Sequence, residues 1–144
     1  MNQKIDYIVY SDGGSRGNPG PAAYGFLVYD KNKKKIYQEG KVIGTATNNQ
    51  AEYTGVLKAL EYFNTKNTSY QNANIQFFLD SRLVVEQLSG NFKIKNDSLK
   101  KLFLQIKELT QKLEASIQYT HIRREFNKQA DKLVNLALDQ ENPL

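Results

Sequence analysis

The chain contains no cysteine, which excludes a disulfide framework, a thiolate nucleophile and a structural zinc site of the cysteine type. Histidine occurs once, as His121, so nitrogen ligands are scarce as well. No apolar run approaches the ~20 residues needed to span a bilayer, and a mean hydropathy of -0.62 points away from a membrane protein. The stretch Met1–Asp6 lacks the apolar core of a secretory signal. There is no internal repeat, low-complexity tract or linker, and no G-x-x-x-x-G-K-[ST] motif to support nucleotide-dependent phosphoryl transfer. A cytoplasmic protein is the default expectation.

What is present suits one globular domain: 144 residues, 40% of them hydrophobic. A single domain over 1–144 is expected, and a monomer with no obligate protein partner is the simplest assembly. The net charge of +5 favours a polyanionic partner, but charge alone leaves nucleic acid open. More telling is where the acids sit, because several lie at structural junctions.

Strands are expected at Lys4–Ser11, Ala23–Tyr29, Lys35–Val42, Asn74–Leu79 and Ser116–Ile122. The first and fourth are apolar on both faces, as central strands are. The lysine-rich run Lys31–Lys35 reads as the turn of an antiparallel hairpin. Helical spacing marks Gln50–Thr65, Ser81–Leu88, Ser98–Leu113 and Lys128–Asp139, with Asn48 or Asn49 as the first N-cap. The order β-β-β-α-β-α-α-β-α combines an antiparallel meander with helical crossovers, which make parallel pairs. This predicts a three-layer α/β fold around a five-stranded mixed sheet.

Four acids stand out: Asp12, Glu52, Asp80 and Asp131. Singly, each has a structural explanation. Asp12 precedes Gly13-Gly14 and suits a turn. Glu52 lies three residues after Asn49, as in a capping box. Asp80 precedes a helix as an N-cap would, and Asp131 falls in a first helical turn, where the dipole favours negative charge. Together they read differently. Asp12 and Asp80 each close a central strand, and sites in open α/β sheets form at such carboxyl ends. Glu52 and Asp131 lie near helix N-termini that can face the same edge. Four converging carboxylates repel unless cations sit among them. An all-oxygen set selects Mg²⁺ or Mn²⁺ rather than zinc. Two such ions ~3.5–4 Å apart suit in-line displacement at phosphorus, one acidifying the attacking water and the other stabilising the leaving oxygen.

The motifs Tyr10-Ser11-Asp12-Gly13-Gly14-Ser15-Arg16-Gly17-Asn18-Pro19-Gly20, Thr47-Asn48-Asn49-Gln50-Ala51-Glu52, Leu79-Asp80-Ser81 and Arg124-Glu125-Phe126-Asn127-Lys128-Gln129-Ala130-Asp131 occur in that order. In these the chain resembles type 1 ribonuclease H over essentially its whole length. The resemblance implies a metal-dependent endonuclease that cuts the RNA strand of RNA–DNA hybrids, leaving 5′-phosphate and 3′-hydroxyl ends. It assigns Asp12, Glu52, Asp80 and Asp131 as catalytic metal ligands. Asn18, Asn48 and Asn49 match positions near the hybrid's minor groove, Glu52 lies near an RNA 2′-hydroxyl, and Thr47 matches a holder of a DNA-strand phosphate. Gly13, Gly14, Ser15 and Ser81 complete the expected substrate contacts, with the glycines at 13, 14 and 17 admitting close backbone approach.

Two departures from the family pattern are visible. The connection Ser89–Asp97 is too short for the family's basic protrusion, and Lys93 and Lys95 are expected to replace part of it by meeting phosphates. The family's mobile loop histidine is also missing. His121 falls inside the fifth strand and reads as structural, leaving Arg124 or Glu125 as auxiliary candidates. No N-terminal hybrid-binding domain is expected, since the first strand begins at once. Competing readings are a non-catalytic nucleic-acid-binding module and another two-metal nuclease of the same superfamily. The four acids argue against the first, because a pure binder gains nothing from negative charge where phosphate must sit. The asparagine pair and glycine loop argue against the second.

Overall fold

The computed structural model describes residues 4–65 and 70–141. Its strands are β1 (Tyr7–Ser15), β2 (Gly20–Asp30), β3 (Lys35–Ala46), β4 (Asn74–Leu79) and β5 (Ser116–His121), and its helices are α1 (Asn48–Thr65), α2 (Arg82–Leu88), α3 (Asp97–Leu113) and α4 (Lys128–Glu141). A single 3-10 turn, Arg124–Phe126, precedes α4. The strands form one sheet in the order β3-β2-β1-β4-β5. β1 pairs antiparallel with β2 and parallel with β4, and β4 pairs parallel with β5. The expected mixed five-stranded sheet is therefore present.

Local chemistry sets the turns and helix starts. In the β2–β3 turn, Asp30 Oδ1 accepts from the backbone N–H of Asn32 at 2.9 Å and of Lys34 at 3.0 Å. Neither Asn48 nor Asn49 caps α1. Thr47 does, in a reciprocal box: Gln50 N–H donates to Thr47 Oγ1 (3.1 Å) and Thr47 N–H donates to Gln50 Oε1 (2.8 Å). The capping-box explanation of Glu52 fails with it, and α1 begins two residues earlier than expected. Ser81, not Asp80, caps α2, its side chain accepting from Val84 N–H. Two acids that were explicable as caps thus have no capping role.

Neighbouring residues of β2 show how the layers stack. A Cβ on Gly55 of α1 would lie 3.5 Å from the Tyr24 side chain, whereas a Cβ on Gly25 would lie 2.6 Å from Leu133 Cβ of α4. Successive strand residues point to opposite faces, so α1 and α4 cover opposite sides of the sheet. The α1 side holds the larger core, with Val9, Phe26, Tyr53, Val56, Leu60, Phe63, Ile75, Phe77 and Leu79 buried. α3 packs against α1 on that side. α4 covers β1, β2 and β3. It does not cover the outer half of β4 and β5, so Phe78 is half-buried, and Gln118 and Thr120 are exposed. Among the described residues no helix is long and apolar enough to cross a membrane.

Candidate active site

The first strand does not end where the glycine-rich stretch after Asp12 suggested. It runs on to Ser15, paired with β2 all the way, so Asp12 lies inside it opposite Gly25. What stops is the other neighbour: the β1–β4 ladder closes at the pair Tyr10↔Phe78. Asp12 stands two residues past Tyr10, and Asp80 two past Phe78. Equal steps from a paired register leave the two carboxylates side by side on adjacent chains, about one strand spacing apart. Tyr10 and Phe78 stack one step back, with ring centroids 5.2 Å apart.

Glu52 reaches the pair because α1 lies directly on β1. A Cβ on Gly13 would fall 2.2 Å from the backbone carbon of Ala51 and 2.5 Å from Glu52 N, and one on Gly55 would fall 2.6 Å from Ser11 Oγ. Only the absence of these side chains allows the two backbones to meet. Gly13, expected to admit substrate, lines the pocket of the acids, and its missing side chain also lets α1 rest on β1. Gly14 is the roomier of the two, with nothing closer than 3.9 Å to its missing Cβ.

Ligand oxygens of Asp12, Glu52 and Asp80 all lie within 4.8 Å of one another. Asp12 and Glu52 are 6% and 5% exposed. Burial, and then the Asp80 charge, pushes the Asp12 carboxyl up to about 7. Burial, followed by the charges of Asp12 and Asp80, holds Glu52 well above the usual carboxylate range, against a smaller opposing pull from Arg124. One Glu52 oxygen, Oε2, is buried with no hydrogen-bond partner. Three clustered acids with an orphaned anionic oxygen are costly unless a cation joins them. The all-oxygen donor set fits a hard divalent ion.

Asp131 does not join this trio. It is exposed on the first turn of α4, lines the same pocket, and receives Asn135 Nδ2–H on Oδ2 at 3.4 Å. Ser15, Asn48, Asn49, Ser81 and Arg124 share the lining. Of the two auxiliary candidates, Arg124 faces the acids. Glu125 instead pairs with Arg123 at 3.4 Å and lines a neighbouring pocket with Tyr10 and Phe126. His121 is exposed at the end of β5, in register with Leu79.

A second groove continues from the acids and shares Asn48 and Asn49 with their pocket; it is lined by Asn18, Thr47, Lys93, Lys95 and Gln87. Its polar atoms are already oriented. Asn48 Oδ1 accepts from Ser15 N–H (2.9 Å) and Ser15 Oγ–H (3.2 Å), and Asn18 Oδ1 accepts from Asn48 N–H (3.0 Å). With both carbonyl oxygens engaged, both amide NH₂ groups are left as donors. Thr47 Oγ1 accepts from Gln50 N–H, which leaves its O–H to donate. The groove therefore offers donors and cations, the complement of phosphate and sugar oxygens.

Sequence reasoning missed Asn127. It precedes α4 where an N-cap would stand and is 1% exposed. Its side chain does not cap the helix but reaches back to β1 and Asp80. The sequence carried it only as one member of the Arg124–Asp131 motif, with no role of its own.

Residues 10–137 match a family model described as reverse transcriptase-like. The chain is 41% identical over 133 residues to a bifunctional protein of Mycobacterium tuberculosis, covering 92% of this chain and 35% of that one. It thus spans about a third of that relative's length. Identity to the ribonuclease H of Ruthia magnifica is 32% over 150 residues, covering 92% of this chain and 95% of the relative. Among solved structures, LC11-RNase H1 in complex with an RNA/DNA hybrid superposes with a TM-score of 0.90 at 35% identity, covering 94% of this chain and 99% of that one.

Proposed function

This chain belongs to the type 1 ribonuclease H family, and from that premise we propose that it hydrolyses the RNA strand of RNA–DNA hybrids endonucleolytically, leaving 5′-phosphate and 3′-hydroxyl ends. The observation that carries the reading is the buried carboxylate trio Asp12, Glu52 and Asp80 at the head of a groove lined with oriented donors. Asp12, Glu52 and Asp80 would hold Mg²⁺, or Mn²⁺ in its place, with Asp131 completing the site at its rim. Two such ions would supply an acidified water and charge stabilisation at the leaving oxygen. The protein's own part is to place and orient. Asn18, Asn48 and Asn49 direct amide donors at the duplex, and Glu52 sits where a 2′-hydroxyl distinguishes RNA from DNA. Thr47 donates to a phosphate. Gly13, Gly14, Ser15 and Ser81 frame the acids, and Arg124, which lines the same pocket, would meet product phosphate where the family has a histidine. We further propose that residues 1–144 act as one catalytic domain, monomeric and cytoplasmic, with no obligate protein partner.

Cleavage assays on hybrid, double-stranded RNA, single-stranded RNA and duplex DNA, with Mg²⁺ or EDTA, test this directly. The expected result is a strong preference for hybrid and complete loss in EDTA. Equal cleavage of all RNA substrates, or activity that survives EDTA, would sink the proposal.

Lys93 and Lys95, both exposed, belong to the backbone-contact part of the groove. The double change to alanine is expected to raise KM for hybrid several-fold with kcat little altered. It should also lower the dependence of log affinity on log salt by roughly one to two. Titrating binding between low and moderate salt checks this; an unchanged slope removes the two lysines from the interface.

A further inference from the structure

We infer that Asn127 is a positioning residue for the reaction: its amide fixes the Asp80 carboxylate against β1 and so sets the spacing of the cation site. This rests on the cation-binding reading above. Past Tyr10, β1 has lost its β4 neighbour, and the carbonyl of Ser11 would face that gap unpaired. Asn127 Nδ2 fills it, donating to Ser11 O at 2.9 Å and to Asp80 Oδ2 at 2.9 Å. Both amide hydrogens are thereby used, one on the residue beside Asp12 and one on Asp80 itself. The reverse orientation of the amide would set its carbonyl against two acceptor oxygens, so the direction is dictated. Asn127 Oδ1 is buried without a partner, which shows that the side chain is held by its donors alone.

The backbone of the same residue extends the connection. Asp131 N–H donates to Asn127 O at 3.1 Å, and Asn127 N–H donates to Arg124 O at 2.9 Å. One residue therefore ties together the strand that carries Asp12, the Asp80 carboxylate, the first turn of α4 with Asp131, and the turn that carries Arg124. The donor occupies Oδ2 and leaves the other Asp80 oxygen for a cation.

The test compares Asn127→Ala with Asn127→Asp, which fills the same space without the donor. Mn²⁺ binding is followed by electron paramagnetic resonance in the absence of nucleic acid, and kcat and KM are measured on hybrid. For both variants Mn²⁺ affinity and kcat should fall by roughly 10–100-fold, with KM changed by less than about twofold. Asn127→Asp should be at least as impaired as Asn127→Ala. Should either fail to fold, Asn127→Ser retains one donor in a smaller side chain and should show an intermediate loss of Mn²⁺ affinity. Variants that melt earlier yet bind Mn²⁺ like the unaltered chain, or an aspartate that outperforms alanine, would reduce Asn127 to packing and overturn the inference alone. An unaltered chain that binds no Mn²⁺ would overturn the proposed function and this inference with it.

Discussion

Asp12→Asn should lower kcat on hybrid by roughly 10³-fold or more while making the metal-free protein harder to unfold. The loss follows from removing one of the carboxylates proposed to hold cations, which would each contribute several kcal/mol to charge stabilisation. The gain follows from the site's electrostatics. Asp12 ionises near the ordinary carboxylate value when the chain is unfolded, but only at about 7 when folded. Between those values the folded state holds a proton that the unfolded state has released, so metal-free stability falls as pH rises through the window. Asparagine cannot titrate. The stability difference between variant and parent should therefore be near zero below pH 4, open between about 4 and 7, and level off above that. Melting in EDTA across pH reads this as an increase of a few degrees at the plateau. Mg²⁺ should close the gap by stabilising the parent alone. A variant less stable than its parent at pH 8 in EDTA would show that the trio is not strained by its charge.

Gly13→Ala should cost this chain a large part of its stability. The new Cβ would meet the Ala51 carbonyl carbon at 2.2 Å and its oxygen at 2.3 Å. Backbone atoms cannot rotate aside, so either α1 lifts from β1 or the strand bends. Overpacking of this kind costs up to about 3 kcal/mol or more. Glu52 travels with α1, so activity should drop further than the lost stability explains. Urea denaturation gives the first quantity, and turnover at a temperature where the variant is folded gives the second. A Gly13→Ala variant with parental stability and turnover would mean that α1 does not rest on β1 as described.

These two positions also show how far the sequence could be read. Element order, sheet type and the four acids were legible because periodicity and short motifs are local. β4, for instance, spans Asn74–Leu79, as its apolar run suggested. Asp12 was placed at a strand end because Gly-Gly reads as a turn, yet β2 pairing carries β1 three residues beyond it. A glycine that signals a turn and one that makes room for a helix look identical until the helix is present. The Thr47–Gln50 box displaced the expected asparagine cap for a related reason: Asn48 is held by Ser15, a contact 33 residues away in sequence. All four acids line one pocket, as expected, with Asp12, Glu52 and Asp80 in closest contact and Asp131 exposed on the first turn of α4. Asn127 was missed altogether. Its partners, Ser11 and Asp80, lie 116 and 47 residues away, beyond the reach of any local pattern.

The matched two-residue steps from Tyr10↔Phe78 to Asp12 and Asp80 limit where this chain can change length. Side chains along a strand alternate with period two. Inserting or deleting one residue between Phe78 and Asp80 would turn that carboxylate to the opposite face, and no adjustment of the following loop could restore it. The Ser89–Asp97 connection carries no such parity, since it joins two helices and supplies surface cations, the Asn96 cap of α3 and Ile94 against the core. A change of length there turns none of the four acids, so under the proposed function the grip on substrate and the reacting groups lie on different stretches of one polypeptide.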